Sequence, residues 1–400
     1  MPTIFNFARA TGLLALAALC LAAGSPGGEL PATMRPVETR YYLMKTDGSD
    51  DLAREAYIRM DRMFEEYSLR TAAFAQAPGI KFPFYLFTKA DEYRAAGGMP
   101  GSAGVFMFDG RGGRLMAIAD PTGKGGTWHV VQHEGFHQFA FTSICRNLPV
   151  WVNEGLAEYF GESKFTGDAF VTGLIPEYRH QRVAKLIESK GYKPFGEFIA
   201  IDDKAWSAKL NISNYDQAWA MVQFLAEGDG GKYQGAFVKY MSALAHGVNG
   251  QQAWAGQFGV AGGDASFENA WKKYWTALPE NPTAMGFQRA RAMMFASILS
   301  RSAASGHKFD TFEKFLAAAK AGELKFASDP VRWMPPTLLE EAMARPAPDP
   351  AAFALTWAGN VPKLVETLAD GSTITVTFTG NHTNAVVKAP APATTSRPAK

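Results

Sequence analysis

The stretch His133-Glu134-Gly135-Phe136-His137 constrains this chain most, because it places three ionisable side chains among valine and phenylalanine residues. At helical spacing, His133 and His137 share one face and can hold one metal ion between them. Glu134 lies about 100° round the same helix, close enough to reach a water on that ion without being a ligand. Buried histidines need partners. The motif therefore predicts a buried helix that carries a metal site.

A second stretch at 151–159, with the sequence WVNEGLAEY, follows after a short link and carries two more carboxylates. Glu154 and Glu158 are again one helical turn apart, and the link lets the chain turn and run back to the metal. Two histidines, a carboxylate ligand and a separate carboxylate base make up a catalytic zinc site for hydrolysis. The pair of stretches therefore predicts a Zn²⁺ cofactor held between two helices.

The pattern HExxH followed by W-x-N-E-G-x-A-E-Y resembles the gluzincin zinc metallopeptidases of the peptidase-MA-like clan. It is most similar to the DUF1570-type exported bacterial proteins of that clan. The likeness is strong over 127–162 and looser over 105–274. It implies that Glu154 is the third zinc ligand and that Glu158 orients a ligand histidine through a hydrogen bond, as metal-bound imidazoles require.

The same resemblance implies two further roles. Tyr215, at the start of a helix, would stabilise the oxyanion of the tetrahedral intermediate, and its alternative is ordinary packing. The strand at 114–120 would be the edge strand that pairs with a substrate peptide, and its alternative is an ordinary sheet strand. Metzincins fit less well, because Ala140 and Ser143 stand where their pattern has glycine and histidine. The interval from His137 to Glu154 is slightly shorter than in the best-known gluzincins.

His129 extends the histidine stripe by one more turn. The outer two histidines of such a stripe are ~12 Å apart by helical rise, so three of them cannot surround one tetrahedral ion. We therefore expect His129 to pack, or to contact substrate at the rim of the cleft.

Apolar periodicity predicts an α+β fold, and the resemblance implies that this fold is of the gluzincin type. In it, a small mixed β-sheet subdomain precedes a mainly helical subdomain, with the zinc cleft between them. The predicted strands are 41–44, 82–88, 105–109 and 114–120. The predicted helices are 50–70, 90–96, 127–142, 149–162, 175–190, 215–227, 234–245, 267–277, 288–302 and 311–320. Pro149 is expected in the first turn of its helix, where its missing N–H costs nothing.

The domain organisation follows from these elements and from composition. We predict a signal peptide at 1–24, a flexible Gly/Pro-rich leader at 25–35, an N-terminal α/β subdomain at 36–126 and the helical zinc-binding subdomain at 127–282. A C-terminal region at 283–388 is predicted to contain helices, a Pro-rich connection at 335–350 and a late hairpin turning at 370–371. A disordered tail is expected at 389–400.

The N-terminus predicts export to the periplasm or the extracellular space. Arg9 precedes an apolar run at 11–23, and small residues follow it, as in a cleavable signal peptide. Two alternatives are anchoring through the uncleaved signal and lipidation of Cys20, which the bulky Leu19 disfavours. Cleavage leaves Cys145 alone, so no intrachain disulfide is expected. No later segment has the length and hydropathy of a membrane span.

The formal net charge of +2 without a basic run gives no reason to expect nucleic acid or an anionic membrane as a partner. The sequence therefore predicts a zinc metallopeptidase acting on a peptide or protein, and it fits endopeptidase and exopeptidase action equally. The alternative from another class is a catalytically inactive peptide-binding module with a structural zinc. A third interpretation, a surface-attached structural protein, is supported only by the predicted signal peptide and the tail. The oligomeric state stays open.

Overall fold

The computed structural model describes residues 28–108, 113–120, 126–208, 211–259, 263–327, 329, 333–344, 348–379 and 382–389. The predicted signal peptide, most of the predicted tail and most of the Gly-rich turn at 110–113 lie outside these residues. Within them the chain is mixed α+β. Across the described ranges, no helix combines the length and the apolar character that a membrane crossing requires.

The first part of the chain forms a five-stranded mixed sheet with two helices. Its elements are β1 (Arg35–Glu38), β2 (Tyr42–Thr46), α1 (Asp50–Thr71), β3 (Phe82–Phe87), α2 (Ala90–Ala95), β4 (Gly104–Phe108) and β5 (Gly113–Ile118). The strand order is β1-β2-β3-β5-β4, with β2–β3 and β3–β5 parallel and the two outer pairs antiparallel. Helix α1 begins where it does because Ser49 accepts a hydrogen bond from the Leu52 N–H.

The predicted hairpin is present, but the prediction of its edge strand is wrong. Strand β5 lies inside the sheet, where Leu115 pairs with Phe84 on one side and Phe106 on the other. Both hydrogen-bonding edges of β5 are therefore used, and no peptide can be added to it. The edge position belongs to β4. The parallel pairing with β3 decides this, and it joins segments that are far apart in the sequence.

The leader predicted as flexible ends in packed structure. Met34 is buried in a small apolar cluster with Phe87, Tyr93 and Met116. Arg35 then begins β1. The buried Met34 thus packs the final residues of this segment against the sheet.

The second part of the chain is mainly helical. Its elements are α3 (Thr127–Ser143), α4 (Val150–Gly161), β6 (Lys164–Phe165), β7 (Phe170–Val171), α5 (Glu177–Glu188), α6 (Phe195–Phe198), α7 (Asp203–Ser207), α8 (Ile212–Gly231), α9 (Gln234–Ala245), α10 (Gly250–Phe258) and α11 (Gly263–Ala277). Helices α6, α7 and α10 and the β6–β7 hairpin were not predicted, because such short elements carry little periodicity. Pro149 is the N-cap of α4 and not a residue of its first turn.

The third part carries a second sheet. Its elements are α12 (Ala284–Ala304), α13 (Phe312–Lys320), α14 (Pro336–Met343), a 3₁₀ turn (Pro350–Ala352), β8 (Phe353–Ala358), β9 (Val361–Thr367), β10 (Thr373–Thr379) and β11 (His382–Lys388). The predicted hairpin is the β9–β10 pair of an antiparallel sheet with the order β11-β10-β9-β8. Ile374 and Val376 pack on Ala292 and Ala296 of α12. The stretch predicted as a Pro-rich connection contains α14, whose first residue is Pro336.

Candidate metal centre

Helix α3 is buried on every side from Val130 to Ala140, although it carries several polar residues. Its Phe136 packs on Phe160 of α4 with ring centroids 5.0 Å apart. His133, Glu134 and His137 are 0%, 0% and 1% exposed. Three ionisable side chains therefore face the protein interior, where each needs a partner to offset the loss of water.

The side chains of His133, His137 and Glu154 converge between α3 and α4. Their ligand atoms all lie within 4.8 Å of one another. The two histidine Nε2 atoms are 3.0 Å apart. Glu154 Oε2 lies 3.3 Å from His133 Nε2 and 3.6 Å from His137 Nε2. Two ligands bound at ~2.1 Å to a tetrahedral ion lie ~3.4 Å from each other. The three atoms thus have the spacing of ligands to one small cation.

The charge state of this group also fits a cation. Among the described residues, neither oxygen of Glu154 accepts a hydrogen bond, although both are buried. Burial raises the pKa of Glu154, but the two histidines outweigh it and hold the pKa below its usual range. Burial lowers the pKa of His137, yet the Glu154 carboxylate overcomes this and raises it to about 9. A buried carboxylate thus draws positive charge to this point, and the group could hold a metal ion.

Both histidines have a polar atom of α4 near the ring nitrogen that faces away from the triad. His137 Nδ1 lies 3.1 Å from Asn153 Oδ1, and His133 Nδ1 lies 3.5 Å from Glu158 Oε1. The Asn153 oxygen can fix the tautomer of His137 and leave its Nε2 for a metal, whereas His133 Nδ1 forms no hydrogen bond among the described residues. Glu158 thus stands next to the ring nitrogen at which an orienting carboxylate would act.

Glu134 lies beside the triad and has one free oxygen. Its Oε2 accepts a hydrogen bond of 2.8 Å from the main-chain N–H of Phe106 in β4. Its Oε1 is buried and has no hydrogen-bond partner in the described part of the chain. Burial raises the pKa of Glu134, while the positive charges of His133 and His137 oppose that rise. The result is a carboxyl group whose proton affinity exceeds that of an exposed glutamate.

Gly104 permits the contact between β4 and α3. A Cβ atom at this position would lie 2.3 Å from Val130 Cγ1 and 3.1 Å from Glu134 Cγ. Any larger residue would push the strand away from the helix, and with it the N–H that holds Glu134. The edge strand of the first sheet thus runs directly past the triad.

Tyr215 lies in the first turn of α8, which begins at Ile212 and not at Tyr215. The side chain is 8% exposed. The centroid of its ring lies 5.3 Å from that of Trp206 in an edge-to-face arrangement. Burial raises the pKa of Tyr215, and the negative charge of Glu154 raises it further. The hydroxyl therefore stays protonated near the triad and can donate a hydrogen bond.

A second group of possible ligands is formed by His129, His133 and Glu158. The guanidinium of Arg179 forms an ion pair with Glu158. Burial raises the pKa of Glu158, but Arg179 outweighs this and lowers it well below the usual range. A positive charge thus already occupies this group, and a metal ion there would be repelled. His129 packs 3.5 Å from Glu158 and is not part of the first triad.

A small cavity adjoins the triad on the side of His137. It is lined by Phe106, His137, Phe141, Cys145, Arg146, Leu148, Asn153 and Asp203. The Arg146 guanidinium lies 5.4 Å from the Phe141 ring centroid. The space next to the triad is therefore lined by apolar and polar side chains in about equal measure, and Arg146 and Asp203 contribute one charge of each sign.

Residues 128–246 match the family model described as "Protein of unknown function (DUF1570)". This match supports the DUF1570 family. The matched segment contains both motif helices and Tyr215. No curated protein matches the chain.

Sequence reasoning did not find three residues of the site. Asn153 and Arg179 lie within the matched segment, and Phe106 lies before it. Asn153 directly precedes Glu154, and this position next to a residue of the triad was the available signal. Phe106 acts through its backbone N–H, which has no side-chain signature. Arg179 is one of many arginines, and only its burial distinguishes it.

Proposed function

We propose that this protein is an exported zinc-dependent metallopeptidase of the gluzincin type, which hydrolyses peptide bonds. The observation that carries the proposal is the convergence of His133, His137 and Glu154 beside a carboxylate, Glu134, that keeps one oxygen free. A structural zinc site has no need of that fourth group. Catalytic zinc sites commonly use three protein ligands and leave one position open.

The donor set supports zinc. Two imidazole nitrogens and one carboxylate oxygen are ligands that zinc accepts at the observed spacing. His133, His137 and Glu154 would hold the ion, with Asn153 and Glu158 orienting the two rings. When bound, zinc supplies Lewis acidity, which activates water at neutral pH and polarises a carbonyl oxygen.

The protein side chains would then move the proton and hold the charge. Glu134 takes the proton of the attacking water and delivers it to the leaving amine, and its raised pKa suits both steps. Tyr215 donates its hydroxyl to the oxyanion that develops on the carbonyl oxygen. The raised pKa of Tyr215 keeps that hydroxyl protonated.

The substrate would lie along β4. The N–H of Phe106 points away from β5 and donates to Glu134, so the edge of β4 that is not paired with β5 faces the triad. A peptide that adds to this edge as a further strand gains main-chain hydrogen bonds and places its scissile carbonyl near the metal ligands.

The test combines zinc analysis with digestion of a peptide library. Glu134→Gln keeps the shape of the side chain and removes its basicity, so we expect the variant to retain zinc and to lose hydrolysis. Glu366→Gln is the matched control, because Glu366 is also buried but lies in the second sheet. It should retain both zinc and activity. Full activity in Glu134→Gln would refute the mechanism, and zinc without activity in the wild type would favour the inactive peptide-binding module.

A further inference from the structure

Arg179 of α5 lies at the centre of a buried group of carboxylates. The side chain is 1% exposed. Its guanidinium forms ion pairs with Glu158, with Glu162 at 2.8 Å and with Asp216 at 3.1 Å. It also lies 5.4 Å from the ring centroid of Trp219. The three carboxylates come from α4, from the end of that helix and from α8, so one side chain joins separate parts of the helical region.

Two of these carboxylates connect Arg179 to the metal centre. Glu158 Oε1 lies 3.5 Å from His133 Nδ1, on the far side of the ring from the ligand atom. Asp216 directly follows Tyr215 near the start of α8. Arg179 therefore connects the carboxylate behind a metal ligand with the helix turn that carries the hydroxyl beside the site.

We propose that Arg179 is a positioning residue that holds His133 through Glu158 and holds Tyr215 through Asp216. The claim about His133 rests on the metal triad alone, whereas the claim about Tyr215 also rests on the proposed peptidase function. Without Arg179, Glu158 could turn towards His129, which lies 3.5 Å from its other oxygen. The imidazole of His133 would then lose the partner that fixes its orientation.

An arginine suits this place better than a lysine. Its planar fork presents five N–H donors in fixed directions, so it can bind several carboxylates at once and keep them in register. Lysine carries the same charge on one nitrogen and can satisfy fewer of the three. Arg179→Lys thus preserves the charge balance of the cluster and removes its geometry, which separates a positioning role from charge neutralisation.

The test measures Zn²⁺ affinity of the full-length protein by competition with a chromophoric chelator. We expect Arg179→Lys to weaken Zn²⁺ binding about 10–100-fold, as the loss of other outer partners of metal ligands does. Arg59→Lys is the matched control. Arg59 is equally buried at 2% exposure and is paired with Glu55 and Glu341, and it contacts none of the ligands. The Arg59→Lys variant should lose thermal stability but keep its Zn²⁺ affinity.

Wild-type Zn²⁺ affinity in Arg179→Lys would overturn the proposal, even if the variant is less stable. A wild type that binds Zn²⁺ but cleaves no peptide would refute the peptidase function and leave the affinity comparison valid. A wild type that binds no Zn²⁺ would refute both.

Asp216→Asn examines the second connection and serves as the test if Arg179→Lys does not fold. It retains the contact between Arg179 and Glu158, so Zn²⁺ affinity should be unchanged. With a peptide that the wild type cleaves, kcat should fall while KM stays the same, because only the placement of Tyr215 changes. Unchanged kcat in this variant would contradict the coupling to Tyr215.

Discussion

The carboxylate of Glu134 accepts a hydrogen bond of 2.8 Å from the main-chain N–H of Phe106. This bond joins the helix that carries both histidines of the triad to the edge strand of the first sheet. The other oxygen of Glu134 has no partner in the described ranges. The strand therefore holds the carboxylate in place and leaves one oxygen available to accept a proton. In the proposed mechanism, a base held in this way needs little reorganisation when a substrate binds.

Gly104 should be required for that arrangement. In Gly104→Ala the new methyl group would meet Val130 at 2.3 Å, and overpacking of this kind costs about 1–3 kcal/mol. We expect a lower free energy of unfolding in urea and reduced peptide hydrolysis. Gly256→Ala is the control, because its Cβ meets open space on α10, and it should stabilise the protein by about 1 kcal/mol. Equal stability of Gly104→Ala and the wild type would contradict the close packing of β4 on α3.

Removal of metal should destabilise the protein. A ligand that binds only the folded state stabilises it by about 2.7 kcal/mol at a free concentration of 100 times Kd. We expect a chelator to lower Tm in the wild type, and added Zn²⁺ to restore it. Glu154→Gln removes the charge that attracts the ion, so Tm should no longer respond. If Tm of the wild type were the same with and without the chelator, these residues would not form a metal site.

Tyr215→Phe should separate binding from chemistry. The variant keeps the ring contact with Trp206 and removes the hydroxyl alone. Loss of one oxyanion donor typically lowers kcat about 10²–10³-fold, and we expect KM and Zn²⁺ content to stay near their wild-type values. Tyr240→Phe, which alters a fully buried tyrosine against Trp151, is the control. A kcat equal to that of the wild type would assign Tyr215 to packing.

The N-terminus gives a prediction about localisation. Expression of the full chain in a bacterium with a secretion system should yield an exported protein, because a short positive region precedes the apolar run at 11–23. N-terminal sequencing should find cleavage after the small residues at 22–24. Cys20→Ser should be processed in the same way as the wild type. Retention of the protein in the membrane fraction only when Cys20 is present would instead indicate lipidation.

Much of the candidate site was predictable because its determinants are local. The separation of His133 and His137 by one turn follows from helix geometry alone, and so does that of Glu154 and Glu158. Helix α1 is marked by the cap at Ser49. Each of these signals comes from residues that are close together in the sequence, so it does not depend on how distant parts of the chain pack.

Other features were not predictable because they depend on residues far apart in the sequence. Strand β5 is interior only because β3 pairs with it in parallel. Met34 is packed only because the sheet and α2 provide an apolar surface near it. Helix α14 lies in a stretch whose prolines resemble those of a connection, and its position against α1 is secured by Thr337 and Arg59.

The sequence by itself determined which residues form the two motif helices, the type of metal site they suit and the α+β class. Helix periodicity and side-chain chemistry are properties of short segments. Only the tertiary structure decided that β4 is the edge strand, that Arg179 pairs with Glu158, and that neither oxygen of Glu154 accepts a hydrogen bond within the described ranges although both histidines lie close to it. The charge and hydrogen bonding of a buried group depend on neighbours that folding brings from elsewhere in the chain.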